Sequence, residues 1–130
     1  MKIPKMVTNS INNAAAKTLA TVGNSSTPHA IPISTVRVMD EEIWLFNYFM
    51  GITTENIKTN PKVSFVAWTG LEGVHVDAEV EYHEDGEIFD EAVKWIAENA
   101  PTRTLKGLLV LKPTGFSGVR AGAPFAVEND

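Results

Sequence analysis

Between Lys17 and Leu111 the chain passes through six extended segments joined mostly by tight turns, with only two helical stretches between them. Strands that follow one another through tight turns pair antiparallel, because parallel neighbours need a long crossover. A small sheet of this kind removes its exposed edges by closing on itself. The pattern therefore predicts a mainly β fold, a six-stranded antiparallel barrel with two or three short helices flanking it.

Val7 to Ala16 reads as a first short helix. Lys17 to Val22 alternates as a strand, and Gly23-Asn24-Ser25-Ser26-Thr27-Pro28 is a dense turn signal. His29 to Met39 reads as the second strand, with Ile31, Ile33, Thr35 and Val36 favouring extended backbone. Pro32 cannot donate to a ladder, so it marks an edge, a bulge or a strand end. Asp40-Glu41-Glu42 turns the chain into an aromatic strand from Ile43 to Phe49. Val63 to Trp68 and Val74 to His83 are strands four and five, and apolar residues at helical spacing predict a helix from Glu87 to Asn99. Leu108 to Leu111 is a sixth strand, and the tail from Lys112 reads as irregular. At 130 residues the whole is one domain, 1–130, with its core over roughly 15–112 and a tail over 113–130.

Eleven Lys and Arg stand against sixteen Asp and Glu, a net charge of −5. Nucleic-acid binding needs clustered excess base, so that partner is disfavoured, whereas a single phosphate on a small ligand needs none. With no cysteine, disulfides, thiolate catalysis and iron–sulfur ligation are excluded. The first residues lead into polar Thr8-Asn9-Ser10 rather than an apolar signal core, and no run approaches the ~18 residues of a membrane span. The expectation is a cytoplasmic protein without membrane contact.

Gly51-Ile52-Thr53-Thr54 opens a short helix that Asn60-Pro61 stops, and a strand follows at once. The first turn of a helix leaves N–H groups without partners and presents the positive end of its dipole. With the Thr53 and Thr54 hydroxyls beside them, these groups form a candidate phosphate cradle. The equally direct alternative is a connector helix that touches no ligand.

The order of these pieces resembles the flavin-mononucleotide-binding split-barrel proteins related to pyridoxamine phosphate oxidase. The resembling residues are Leu19 to Val22 with its turn, Pro28 to Ser34, Ile43 to Tyr48, Thr53 to Ile57, and Asn60-Pro61-Lys62-Val63. The resemblance implies a split β-barrel that binds FMN non-covalently. Pro32, Ile33, Ser34 and Thr35 would lie against the ring, Asn47, Tyr48 and Phe49 would flank the ring or ribityl chain, and Thr53 and Thr54 would meet the phosphate. It also implies a homodimer with each flavin at the subunit boundary. One departure stands out, because many members carry a lysine, often with an arginine, where this chain has Ile52 and Thr53. Losing a charge-assisted contact costs ~1.5–3 kcal/mol, about one to two decades of affinity. Arg37 or Lys58 could swing in to replace it.

His75, Asp77, Glu79, Glu81 and His83 share one face of strand five. They could ligate a divalent ion, but the two histidines lie ~26 Å apart along a strand, and a solvated face opposite Val76, Ala78, Val80 and Tyr82 explains the same alternation. No metal site is assigned. His29 reads as an exposed strand-start residue, and Ser34 has no His–Asp companions for nucleophilic work. Trp95 reads as helix packing. No catalytic acid, base or nucleophile is identified. The expected function is a flavoprotein for electron transfer or for redox conversion of a small substrate, an FMN-dependent oxidoreductase in the second case. The alternatives are the same fold with a deazaflavin or pyridoxal-type ligand, and a non-redox dimeric binding module.

Overall fold

A computed structural model describes all residues, Met1–Asp130. Helix α1 (Lys5–Asn12) precedes strands β1 (Ala16–Val22), β2 (Pro28–Pro32), β3 (Val36–Val38) and β4 (Ile43–Asn47). Helix α2 (Gly51–Thr59) leads into β5 (Lys62–Thr69) and β6 (Glu72–His83), and helix α3 (Glu87–Asn99) into β7 (Gly107–Arg120) and β8 (Phe125–Ala126). All pairings are antiparallel, in the order β2-β1-β5-β6-β7-β4-β3 with β8 added beside β7. No helix is long and apolar enough to cross a membrane.

The chain's own connectivity forces this sheet to curl. β2 and β3 are its opposite edges, yet only Ile33, Ser34 and Thr35 join them. Laid flat, seven strands would hold the edges ~29 Å apart. The linker from Pro32 to Val36 can span only ~14 Å. The sheet therefore wraps into the expected antiparallel split barrel, and the linker straddles the split. The Ile33 N–H donates to the Lys17 carbonyl at 2.9 Å, while its side chain is buried in the barrel core.

Two corrections concern the strands, of which there are eight rather than six. The expected continuous strand from His29 to Met39 breaks at Ile33–Thr35, because Pro32 ends β2 at a sheet edge and the chain must cross to the other edge. The expected irregular tail is instead the far half of β7, paired with β6 as far as Glu72–Arg120. Proline and glycine argued against a strand there, but long-range pairing overrides local propensity. Pro113 is accommodated by a register shift between Asp77 and Ala78. Gly118 is needed because a Cβ there would overlap the Phe125 ring.

The interior holds one face of the strands, including Leu19, Leu45, Phe65, Val76 and Leu109, with α1 residues Val7 and Ile11 closing one side. β4 is buried on both faces. Ile43 and Leu45 point into the barrel, whereas Trp44 and Phe46 join Leu108, Val110 and α3 residues Ala92 and Ile96 in a second, outer core. Along β6, Val74, Val76, Ala78 and Val80 are buried, and His75, Asp77, Glu79 and Glu81 face outward.

Candidate functional site

The chain leaves β4 at Asn47 and enters α2 at Gly51, and this corner is built around Asn47. Its Oδ1 accepts the Met50 N–H at 2.7 Å, and its Nδ2 donates to the Tyr82 hydroxyl at 2.8 Å and more weakly to Thr54 Oγ1 at 3.4 Å. Asn47 is thus a structural corner post, buried to 6% exposure. The N–H groups of Gly51 and Thr54 pair with Phe49 and Met50 carbonyls, and those of Ile52 and Thr53 find no acceptor. Nothing lies within 4 Å of the place a Gly51 Cβ would take, so the helix start is open on that side.

Two hollows meet at this corner and share Phe49 and Met50 as a common wall. The first, about 300 Å³, is lined by Ile31, Pro32, Ile33, Ser34 and Thr35 from the linker across the split, by Phe46, Tyr48 and Phe49, and by Arg103. The second, about 500 Å³, is lined by Asn47, Gly51, Thr54, Glu55, Tyr82, Glu84 and Lys106. Both volumes fall within the range of small-ligand sites. A larger hollow of about 570 Å³ lies outside on β1, β5 and β6, lined by Lys62, Ser64, Asp77 and Glu79 among others. No aromatic side chain lines it, so a flat ring would have no surface there to stack on.

Pro32, Ile33, Ser34, Thr35, Tyr48 and Phe49 come together in the first hollow, and Asn47, Phe49 and Thr54 in the second. Thr53 is not brought to either wall. It is buried to 1% exposure, and its Oγ1 has no hydrogen-bond partner. The Thr54 hydroxyl donates back to the Met50 carbonyl within the helix. His29 lies on β2 outside both hollows, paired opposite Thr21.

The cations are arranged differently from the sequence expectation. Arg37 is turned to α3, 3.6 Å from Glu91 and 4.8 Å above the Trp44 ring. Lys58 is 3.6 Å from Glu84 and lies over Tyr82. Neither is free to swing in without breaking these contacts. Arg103 and Lys106, between α3 and β7, were not identified from sequence. Arg103 lies 5.3 Å over the Tyr48 ring in the first hollow, and Lys106 lies 5.3 Å over Phe49 in the second. Neither is engaged in an ion pair. The signal for them was a basic pair just before a strand, but it acquires meaning only from the pairing of Gly107 with Asn47.

One ion pair away from this corner shifts the titration of both its members. The Lys112 ammonium, 2.8 Å from Glu81, holds the Glu81 carboxyl below its ordinary range through their hydrogen bond, and Lys112 is raised in return.

A family model described as pyridoxamine 5'-phosphate oxidase matches residues 3–120. No curated protein is similar in sequence. Among solved structures, the chain is similar to HupZ of group A Streptococcus, with TM-score 0.82, 22% identity and coverage of 94% of this chain and 98% of that one. It is also similar to an FMN-binding protein of Syntrophomonas wolfei, with TM-score 0.75, 22% identity and coverage of 96% and 87%. A third is a Lactobacillus delbrueckii protein provisionally described as a pyridoxamine 5'-phosphate oxidase, with TM-score 0.71, 28% identity and coverage of 88% and 93%.

Proposed function

Since the chain belongs to the pyridoxamine 5'-phosphate oxidase family, we propose that it is a redox flavoprotein that binds FMN non-covalently in the two joined hollows. The observation that carries this reading is the meeting of the Pro32–Thr35 linker, the Asn47–Phe49 corner and the α2 start in two hollows on either side of the Phe49–Met50 wall. The ring would lie against Pro32, Ile33, Ser34 and Thr35, with Tyr48 and Phe49 beside it. The phosphate would lie at the other end, beside Gly51 and Thr54 at the start of α2, where the exposed Ile52 N–H lacks an acceptor. That amide, rather than any group of the buried Thr53, is the fitting anion donor.

When bound, the flavin supplies the electron chemistry, and the protein supplies binding, orientation and local charge. Asn47 holds the corner, Phe49 and Met50 separate the two ends, and Arg103 adds positive charge on the ring side. No side chain here is paired as a general base or nucleophile, which favours electron transfer or direct redox exchange with a small substrate. Phe49 is 81% exposed and Ile52 57%. A second copy of the chain covering these apolar side chains would complete the pocket, which makes a homodimer part of the reading.

Purified protein should be yellow, and denaturation should release a flavin that chromatographs as the mononucleotide. Colourless protein with no affinity for added FMN would overturn the proposal. Binding of a deazaflavin or pyridoxal phosphate instead would transfer the site to those ligands.

A further inference from the structure

Resting on the FMN reading, we propose that Lys106 is the residue by which this site selects a phosphorylated ligand over its unphosphorylated counterpart, in place of the cation missing at Ile52–Thr53. Three observations converge on it. First, the backbone places it. The Lys106 N–H donates to the Asn47 carbonyl at 2.9 Å, fixing this loop residue against the β4 end that leads into α2. Second, its side chain lines the same hollow as Gly51 and Thr54, in the first turn of α2. Third, its charge is uncommitted. Glu55 and Glu84 line that hollow too, but Glu84 pairs with Lys58, and Lys106 makes no ion pair.

Lys106 instead rests over the exposed ring of Phe49, a weak contact that a phosphate could displace. A lysine suits this role because its long stem carries a compact charge with three rotatable donors. Glu55 opposes it. An anion in the hollow would feel repulsion from that unpaired carboxylate, so the two residues must act with opposite sign on any phosphate bound there.

The test compares FMN and riboflavin binding, by flavin fluorescence, in the wild-type protein and in Lys106→Gln, Lys106→Arg, Glu55→Gln and Arg103→Gln. Wild type should prefer FMN. Lys106→Gln should weaken FMN about ten- to a hundredfold with riboflavin unchanged, and Lys106→Arg should retain most of the preference. Glu55→Gln should tighten FMN alone, whereas Arg103→Gln should change both ligands by a similar factor. Lys106 is exposed, so the urea midpoint of Lys106→Gln should match wild type.

Unchanged FMN binding in Lys106→Gln, or equal loss of FMN and riboflavin, would overturn the role of Lys106 and leave the FMN reading standing. If wild type binds neither flavin, the FMN reading falls, and inorganic phosphate then decides the inference by calorimetry. Phosphate binding that Lys106→Gln abolishes would sustain it, and no phosphate binding to wild type would overturn it.

Discussion

The side-chain amide of Asn47 donates to the hydroxyl of Tyr82 across 2.8 Å, joining the end of β4 to the end of β6 although neither strand pairs with the other. β7 lies between them, and its first residue, Gly107, sits opposite Asn47. Asn47→Ala should therefore do two kinds of damage. It orphans the Tyr82 hydroxyl and removes the acceptor for the Met50 N–H before α2. Together these should destabilise the protein by about 1–3 kcal/mol, read as a lower urea midpoint. Amide exchange at Thr54, whose N–H is bonded to the Met50 carbonyl, should quicken beyond the global loss. Unaltered exchange there would mean that Asn47 does not hold the helix start.

Gly107 is tied to the same contact from the opposite side. A Cβ at Gly107 would overlap the Tyr82 hydroxyl and ring. Gly107→Ala must push the ring away from Asn47, with a cost of about 1–3 kcal/mol, as overpacking has elsewhere. In a Tyr82→Ala background the same change should cost much less. A coupling energy near zero in that double-mutant cycle would show that the two residues do not oppose each other.

These two residues also mark how far the sequence could be read. Period-two alternation along Val74–His83 and helical spacing over Glu87–Asn99 are local patterns, and the structure reproduces them as β6 and α3. The aromatic strand before Asn47 and the Asn60-Pro61 stop after α2 were legible for the same reason. Pairing partners were not legible. Nothing within the stretch from Lys112 to Arg120 announces a strand, because its order comes from β6. Arg103 and Lys106 have no local pattern either, and they reach the candidate site only because β7 starts beside Asn47. Thr53 shows the converse limit. Its hydroxyl suited an anion by type and spacing, but the helix turns it inward.

The Glu81–Lys112 pair predicts a small, signed pH dependence. The carboxyl of Glu81 is held below its ordinary range in the folded protein, chiefly by the Lys112 hydrogen bond. Its contribution is therefore complete above the unfolded-state pKa and is lost as pH falls through the lower folded value. Lys112 is raised, so its share is complete below its unfolded pKa and is lost as pH rises through the higher folded one. Both side chains are about half exposed, at 51% and 54%, so solvent screening keeps the effect to a few tenths of a kcal/mol. Lys112→Met should flatten the urea-midpoint profile at its acid end relative to wild type, and the difference should fade in ~1 M salt. An identical acid limb in both proteins would show that the pair adds nothing.

Arg103 sets the last expectation, because it lies over Tyr48 in the hollow proposed for the ring and has no carboxylate partner. A positive charge beside a flavin favours the form with more negative charge, which is the reduced one. Removing it in Arg103→Gln should make bound FMN harder to reduce. Arg103 is exposed, so the Coulomb effect must be discounted to roughly 1 kcal/mol, which for a two-electron couple is about 20 mV. Potentiometric titration should show that drop for Arg103→Gln and near-native behaviour for Arg103→Lys, with the gap shrinking as salt rises. The salt arm separates charge from packing, since a glutamine that merely disturbed Tyr48 would change the potential equally at low and high ionic strength. A potential that rises in Arg103→Gln, or a drop insensitive to salt, would place the guanidinium away from the ring.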